Sequence, residues 1–411
     1  MLKLFSAGLI ANLLYVISGA LKQYFIAAQL PVAGVGVYGA WVAQASLLLL
    51  LIPFPAYLNV LIQGFSAAPE DHVSRVGLIA AVTRELRYLA YGATSLLACV
   101  LLYDLAVGRA RDTAAALVLL IIVQYVTMTS DILLRMRQAH GRFALFMATR
   151  NLPSLLAIIV FGLHSPMALV AAELFSALLI GWFVFRSRTL RAAQPAVPVR
   201  STFNKEQSTL WLARVGQYVN SSLLRLSVPF LFGAHDTGLF FFACIAQIPC
   251  ALFLSVSTQL FGHALARMKQ GNYRGIFRIQ LWFLAPNAAY IAMVALLVPY
   301  WPLLTIHVPK LTQYAGIGQL LLAVSLYSAV LSSDCTEFLL RSRGMSHILL
   351  RYNLCSVFTQ IVCLCVGFVG KFSTESTIKL CAAAAGAVLA AFSVYSFRRV
   401  LQTPAAVCIT G

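Results

Sequence analysis

Charge is what this chain has least of. Only 10% of its 411 residues are charged, against about 25% in a soluble domain. Acids are scarcer than bases, with 12 Asp and Glu beside 30 Lys and Arg. Together with 61% apolar side chains, this shortage excludes an ordinary soluble enzyme and a disordered chain. Metal chemistry has no footing either. No CxxC pair occurs and no histidine stands at zinc spacing from a cysteine. Most cysteines, Cys244, Cys250 and Cys363 among them, lie inside apolar runs, where a thiol acts as a small hydrophobe. No metal and no cofactor is expected. Long polar segments are missing, so the +18 net charge has no surface on which to lay a nucleic acid. A cleavable signal pattern is missing too: the first apolar run, about 4–28, is long enough to span and lacks a cleavage site.

What is present is a succession of apolar runs. A helix needs roughly 20 apolar residues to cross the hydrocarbon. Twelve stretches qualify, near 4–28, 39–65, 86–103, 113–134, 143–161, 165–185, 208–232, 237–261, 279–302, 313–340, 348–369 and 377–397. The expected fold is therefore all-α and polytopic, an integral membrane protein. Prolines inside several runs, Pro53, Pro55, Pro153, Pro229, Pro249 and Pro286, predict kinked helices.

Orientation follows the basic residues in the breaks. With the N-terminus inside, the inner breaks hold clusters such as Arg84 and Arg87, Arg135, Arg137 and Arg142, and Arg341 and Arg343. The outer breaks hold only Arg109, Arg111, Lys310 and Lys371. Both termini are then cytoplasmic. The longest break, RSRTLRAAQPAVPVRSTFNKEQ at 186–207, is a basic linker between a first half at 1–185 and a second at 208–411. A shift of 203 residues places Tyr15 on Tyr218, Ser18 on Ser221, Lys22 on Arg225, Gln44 on Gln247 and Asp131 on Asp334. Six helices per half make these parallel repeats, related by an axis along the membrane normal.

A charge at the bilayer centre costs about 2.5–3.5 kcal/mol on insertion scales, so each one needs a reason. Arg214, Tyr218, Ser221 and Arg225 follow steps of four, three and four and share a helical face. Ala11, Tyr15, Ser18 and Lys22 repeat those steps in the first helix. If both stripes face the seam between halves, they form a cationic cleft; snorkelling of Lys22 and pairing of Arg225 with an acid is the simpler reading. Arg150 lies about two turns into the fifth helix. Gln44 and Gln247 are candidate cavity polars, though helix-to-helix hydrogen bonds account for them equally. Among the acids, Asp131 has Arg135 four residues on, and Glu337 has Arg341, which suffices structurally. Glu173 lies nearer mid-membrane with no local partner. It either meets a cation from another helix or titrates.

Two segments carry a family resemblance. LIANLLYVISGALKQYFIAAQLPVAGVGVYGAW is similar to the first helix of the polysaccharide (O-antigen type) flippases, with a Gly/Tyr turn at Val35–Gly39 before the second. SDILLRMRQAHGRFALFMATRNLPSLL is similar to their fourth-to-fifth hairpin. That family belongs to the multidrug/oligosaccharidyl-lipid/polysaccharide exporter (MOP) superfamily. The resemblance implies a flippase of the bacterial inner membrane and no enzyme. It would move an undecaprenyl-pyrophosphate-linked oligosaccharide outward by alternating access, in a pathway shared with polymerase and chain-length proteins. It implies a cation-rich cavity, which Lys22, Arg225, Arg214 and Arg150 match, with Tyr15, Tyr218, Gln44 and Gln247 beside them. It implies Asp131, Asp334 and Glu173 as ion-coupling candidates. The nearest rival is a multidrug or other small-molecule exporter of the same superfamily, for which an acidic or aromatic cavity is expected. A membrane enzyme of glycan assembly is the rival of another class. The short outer breaks, and histidines without a paired acid or nucleophile, speak against it.

Overall fold

The computed structural model describes residues 2–50, 111–136, 140–185, 205–266, 272–333 and 345–402, with scattered positions between them. Its regular elements are all helical. In chain order they are α1 (Leu2–Gln29), α2 (Val32–Leu50), α3 (Arg111–Met136), α4 (His140–Thr149), α5 (Leu152–Phe161), α6 (Pro166–Phe185) and α7 (Lys205–Leu231). There follow α8 (Gly233–Ala243), α9 (Gln247–Ala266), α10 (Tyr273–Leu297), α11 (Trp301–Ile306), α12 (Gly318–Ser332), α13 (Ser346–Val369) and α14 (Thr374–Gln402). Among the described residues eight stretches are long and apolar enough to cross a membrane, and Leu145–Phe161 is a shorter apolar helix. The protein is a polytopic helical membrane protein. Helices are forced here because a bilayer offers no hydrogen bonds to a bare backbone. The expected span at 86–103 and residues 51–65 of the one at 39–65 lie outside the described residues, apart from isolated positions.

The chain forms two compact units, residues 1–25 with 40–211, and residues 26–39 with 212–411. In the first, α3 packs along α6, and α5 returns as α6 through a short hairpin. Gly162 closes that hairpin in the left-handed conformation, φ 56°, where a side chain would be strained. In the second, α12 is central and touches α14, α9 and α10. The burial pattern agrees: 50% of the span Leu311–Ser332 is buried, against 11% for Arg274–Ile306. α10 and α11 thus face lipid, while α12 fills the interior. Tyr352 of α13 stacks on Phe392 of α14 at 4.4 Å, beside a core of Ile276, Phe283 and Leu349.

The Gly/Tyr turn expected at Val35–Gly39 is not a turn. Those residues are helical within α2, and the break falls at Leu30–Pro31. Proline has no N–H to continue α1, which explains the position of the break. The glycines serve packing instead. A Cβ on Gly36 would stand 2.5 Å from the Ala234 carbonyl oxygen, and one on Gly39 would enter the Phe241 ring. Gln313 Nε2 donates to the carbonyls of Ala27 (3.1 Å) and Leu30 (3.4 Å) and so satisfies the end of α1. The linker at 186–204 lies outside the described residues.

Two expected spans are broken. Pro153 removes an N–H and crowds the carbonyl four residues back, at Thr149, and α4 ends there. Pro249 does the same to Ile245, inside a tight 3₁₀ turn at Cys244–Ala246 between α8 and α9. A third interruption follows α12, at Ser333. Each break puts polar backbone at membrane depth, where it needs partners.

Candidate functional site

In the first unit, Tyr15, Ser18 and Lys22 share one face of α1 and meet the α4–α5 break and α6. The Arg150 guanidinium lies 3.9 Å from the centre of the Tyr15 ring and donates through Nη2 to the Tyr15 hydroxyl. The ring face attracts the cation and the hydroxyl accepts a hydrogen bond, but neither carries a negative charge. Asn151 Nδ2 reaches the Tyr15 carbonyl and the Ser18 hydroxyl, both at 3.4 Å. One turn further along α1, Lys22 Nζ forms an ion pair with Glu173 of α6, and the two side chains are only 16% and 15% exposed. Three residues beyond Glu173, Ser176 donates to the Arg150 carbonyl at 3.1 Å, which satisfies the broken backbone. Glu173 thus meets a cation from another helix, the first of the two options read from its isolation. Lys22 is compensated; among the described residues Arg150 meets no acid.

In the second unit, Arg225 sits on α7 four residues before Pro229, so its own carbonyl loses its helical donor. Its Nη2 donates to Gln247 Oε1 at the start of α9, and its side chain also adjoins the buried Cys244. Among the described residues neither Arg225 nor Arg150 meets a carboxylate. The repeat-matched cations Lys22 and Arg225 have therefore diverged, one paired with an acid and one with a neutral amide. The local geometry of the repeat persists beside them. Ser18 donates to the Tyr15 carbonyl and Ser221 to the Tyr218 carbonyl, each at 3.0 Å.

Close to Arg225 in sequence lies a buried polar knot that the sequence reading missed. Tyr327 of α12 donates its hydroxyl toward the Asn220 carbonyl and Gln360 Oε1, each at 2.7 Å. Ser356 donates to Asn220 Oδ1 at 2.7 Å, and Gln360 Nε2 donates to the same oxygen. All four residues are at most 4% exposed. The only signal available was the presence of Asn, Gln and Tyr inside apolar runs, because the partners come from three separate helices. Gln280 was also missed. Its amide donates to the Ser333 carbonyl (2.6 Å) and accepts from the Cys335 N–H (3.0 Å), bridging the break after α12.

The remaining expected residues are scattered. Tyr218 and Gln44 are partly buried on α7 and α2. Arg214 and Asp131 lie on α7 and α3, with side chains outside the described set, and Asp334 lies outside it altogether. Glu337 accepts from Gln217 Nε2 at 2.5 Å. Among the described residues no group of His, Cys, Asp and Glu gathers as a metal site.

The architecture is thus a helical membrane protein with Arg150 at a proline-induced break and Arg225 one turn before a proline inside α7. No family profile and no curated protein sequence matches it. Solved structures do. The chain is similar to a MOP superfamily transporter from Pyrococcus furiosus, at 12% identity over 98% of this chain and 96% of that one, TM-score 0.64. That transporter is described by a binding pocket of reverse polarity that suggests a different function. It is similar to the MATE multidrug transporter DinF-BH, solved in a ligand complex, at 11% identity over 96% and 94%, TM-score 0.67. It is likewise similar to a multidrug resistance MATE family transporter in an inward-facing conformation, at 11% identity over 96% and 98%, TM-score 0.67. The fold is that of these MOP superfamily transporters. Two of the three are described as multidrug transporters and none as an O-antigen flippase; at these identities the likeness shows the fold alone.

Proposed function

We propose that this chain is a membrane exporter of anionic amphiphiles, a transporter rather than an enzyme. The fold shared with MATE transporters supports export of small molecules, the reading that ranked second on sequence. One observation selects the charge of the cargo: Arg150 and Arg225 lie in runs that the sequence reads as spans, and among the described residues they meet only neutral partners. An uncompensated guanidinium there is costly, and a phosphate or carboxylate supplied by cargo offsets that cost. A phosphate-bearing lipid-linked glycan is the second reading, favoured by the same two arginines. Both place the protein in a bacterial inner membrane with both termini cytoplasmic, as the basic inner breaks support.

The test is flux into proteoliposomes holding the full chain, with a fluorescent alkyl phosphate and a rhodamine-type cation of matched hydrophobicity. The phosphate is expected to move faster, and Arg225→Gln to slow it by about tenfold or more, the scale of one charge-assisted hydrogen bond. Faster movement of the cation in the wild type overturns the reading.

A further inference from the structure

Lys22 and Arg225 occupy matching places in the two repeats, yet their partners differ in charge. The carboxylate of Glu173 neutralises Lys22. Arg225 donates instead to the side-chain amide of Gln247, which opens α9 directly after the tight turn at Cys244–Ala246. Cys244 and Tyr327 also lie within electrostatic range of Arg225, and a thiol and a phenol carry no charge at neutral pH. Among the described residues the guanidinium is thus held without being neutralised.

The orientation of the Gln247 amide follows from its partner. A guanidinium has donors only, and a side-chain amide accepts only through its oxygen. Oε1 therefore faces Arg225, and Nε2 is left to donate elsewhere. Both side chains are partly exposed. The neighbouring knot of Asn220, Tyr327, Ser356 and Gln360 is buried and bonded internally. A ligand can thus meet the Arg225–Gln247 pair without opening the knot. A negatively charged group that only accepts, such as a phosphate, is complementary to these N–H groups.

Glutamate has nearly the shape of glutamine and would hold Arg225 at least as firmly, through a charge-assisted hydrogen bond. It would also cancel the charge, as Glu173 does for Lys22. Resting on the anionic-amphiphile reading, we propose that Gln247 is the specificity-determining residue of the second unit. Its neutral amide holds the Arg225 guanidinium in place and leaves the charge for the cargo anion. The competing role for Gln247 is a purely structural tether between α7 and α9.

The experiment measures the affinity of the purified full chain for a fluorescent alkyl phosphate and for the uncharged alcohol of the same chain length. The ratio of the two is the quantity of interest, because general damage to the fold weakens both. Gln247→Glu is expected to lower the ratio by about tenfold, the loss also expected from Arg225→Gln. Gln247→Met keeps the site neutral but gives up the tether, and its ratio is expected to fall between those of the wild type and Gln247→Glu. A structural tether predicts the reverse order, with Gln247→Glu at least equal to the wild type and Gln247→Met the weakest. That order overturns the proposal. So does a Gln247→Met ratio as low as that of Arg225→Gln, a result that does not depend on the folding of Gln247→Glu. A wild type that binds phosphate no better than alcohol removes the anion reading itself. A wild type that prefers phosphate, loses the preference with Arg225→Gln and keeps it with Gln247→Glu removes only the role of Gln247.

Discussion

Lys22 and Glu173 show how a membrane chain holds a charge it cannot solvate. Each is the other's compensation, so removing one leaves the other stranded. Lys22→Met alone and Glu173→Gln alone are each expected to cost roughly 3 kcal/mol or more. The double variant should cost less than the sum, because two apolar or neutral groups replace a matched pair. Equilibrium unfolding in mixed micelles measures all three; additive losses would show that the pair is not coupled. Tyr327 makes a different case. Its hydroxyl anchors a knot of three helices through Asn220 and Gln360. Tyr327→Phe leaves those acceptors buried and is expected to cost about 1–3 kcal/mol in the same measurement. An unchanged midpoint would contradict that role.

Among the elements, breaks and close crossings hold the interest. Gln280 bridges the interruption after α12 by giving a donor to Ser333 and an acceptor to Cys335. Gln280→Leu should cost about 2 kcal/mol or more, because both backbone groups lose a partner away from water. The α2–α8 crossing depends on small residues in a similar way. A Cβ on Gly238 would collide with the Val32 backbone, which has no flexible end to move aside. Gly238→Val is therefore expected to lower thermal stability more than Gly92→Val, since among the described residues a Cβ at Gly92 meets nothing within 4 Å. Melting of the two variants in detergent compares them directly.

On the scale of the whole molecule, the helices were largely legible in the sequence and their contacts were not. Hydropathy alone placed α3, α6, α7, α10, α13 and α14 within a few residues, because a span must be long and apolar whatever surrounds it. Proline marked the breaks at Pro153 and Pro249 for an equally local reason. The Val35–Gly39 stretch was misread because glycine signals both a turn and a close helix crossing; only the neighbour at Ala234 and Phe241 distinguishes them. The cations at Lys22, Arg150 and Arg225 stood out by their cost. Their partners did not, since nothing in a single sequence says that α1 meets α6, or that Gln247 rather than an acid receives Arg225. The polytopic all-helical fold was legible for the same reason as the spans. Cargo class was not: on the proposed reading it depends on which of those cations is left unneutralised.

That dependence also defines the most direct measurement. The affinity of the purified full chain for a fluorescent alkyl phosphate and for a rhodamine-type cation would be compared in the wild type, Arg150→Gln, Arg225→Gln and the double variant. The account predicts tighter binding of the phosphate by the wild type, and a loss of about tenfold or more at each arginine with the cation unaffected or favoured. Preference for the cation in the wild type, or phosphate binding that survives loss of both arginines, would contradict it.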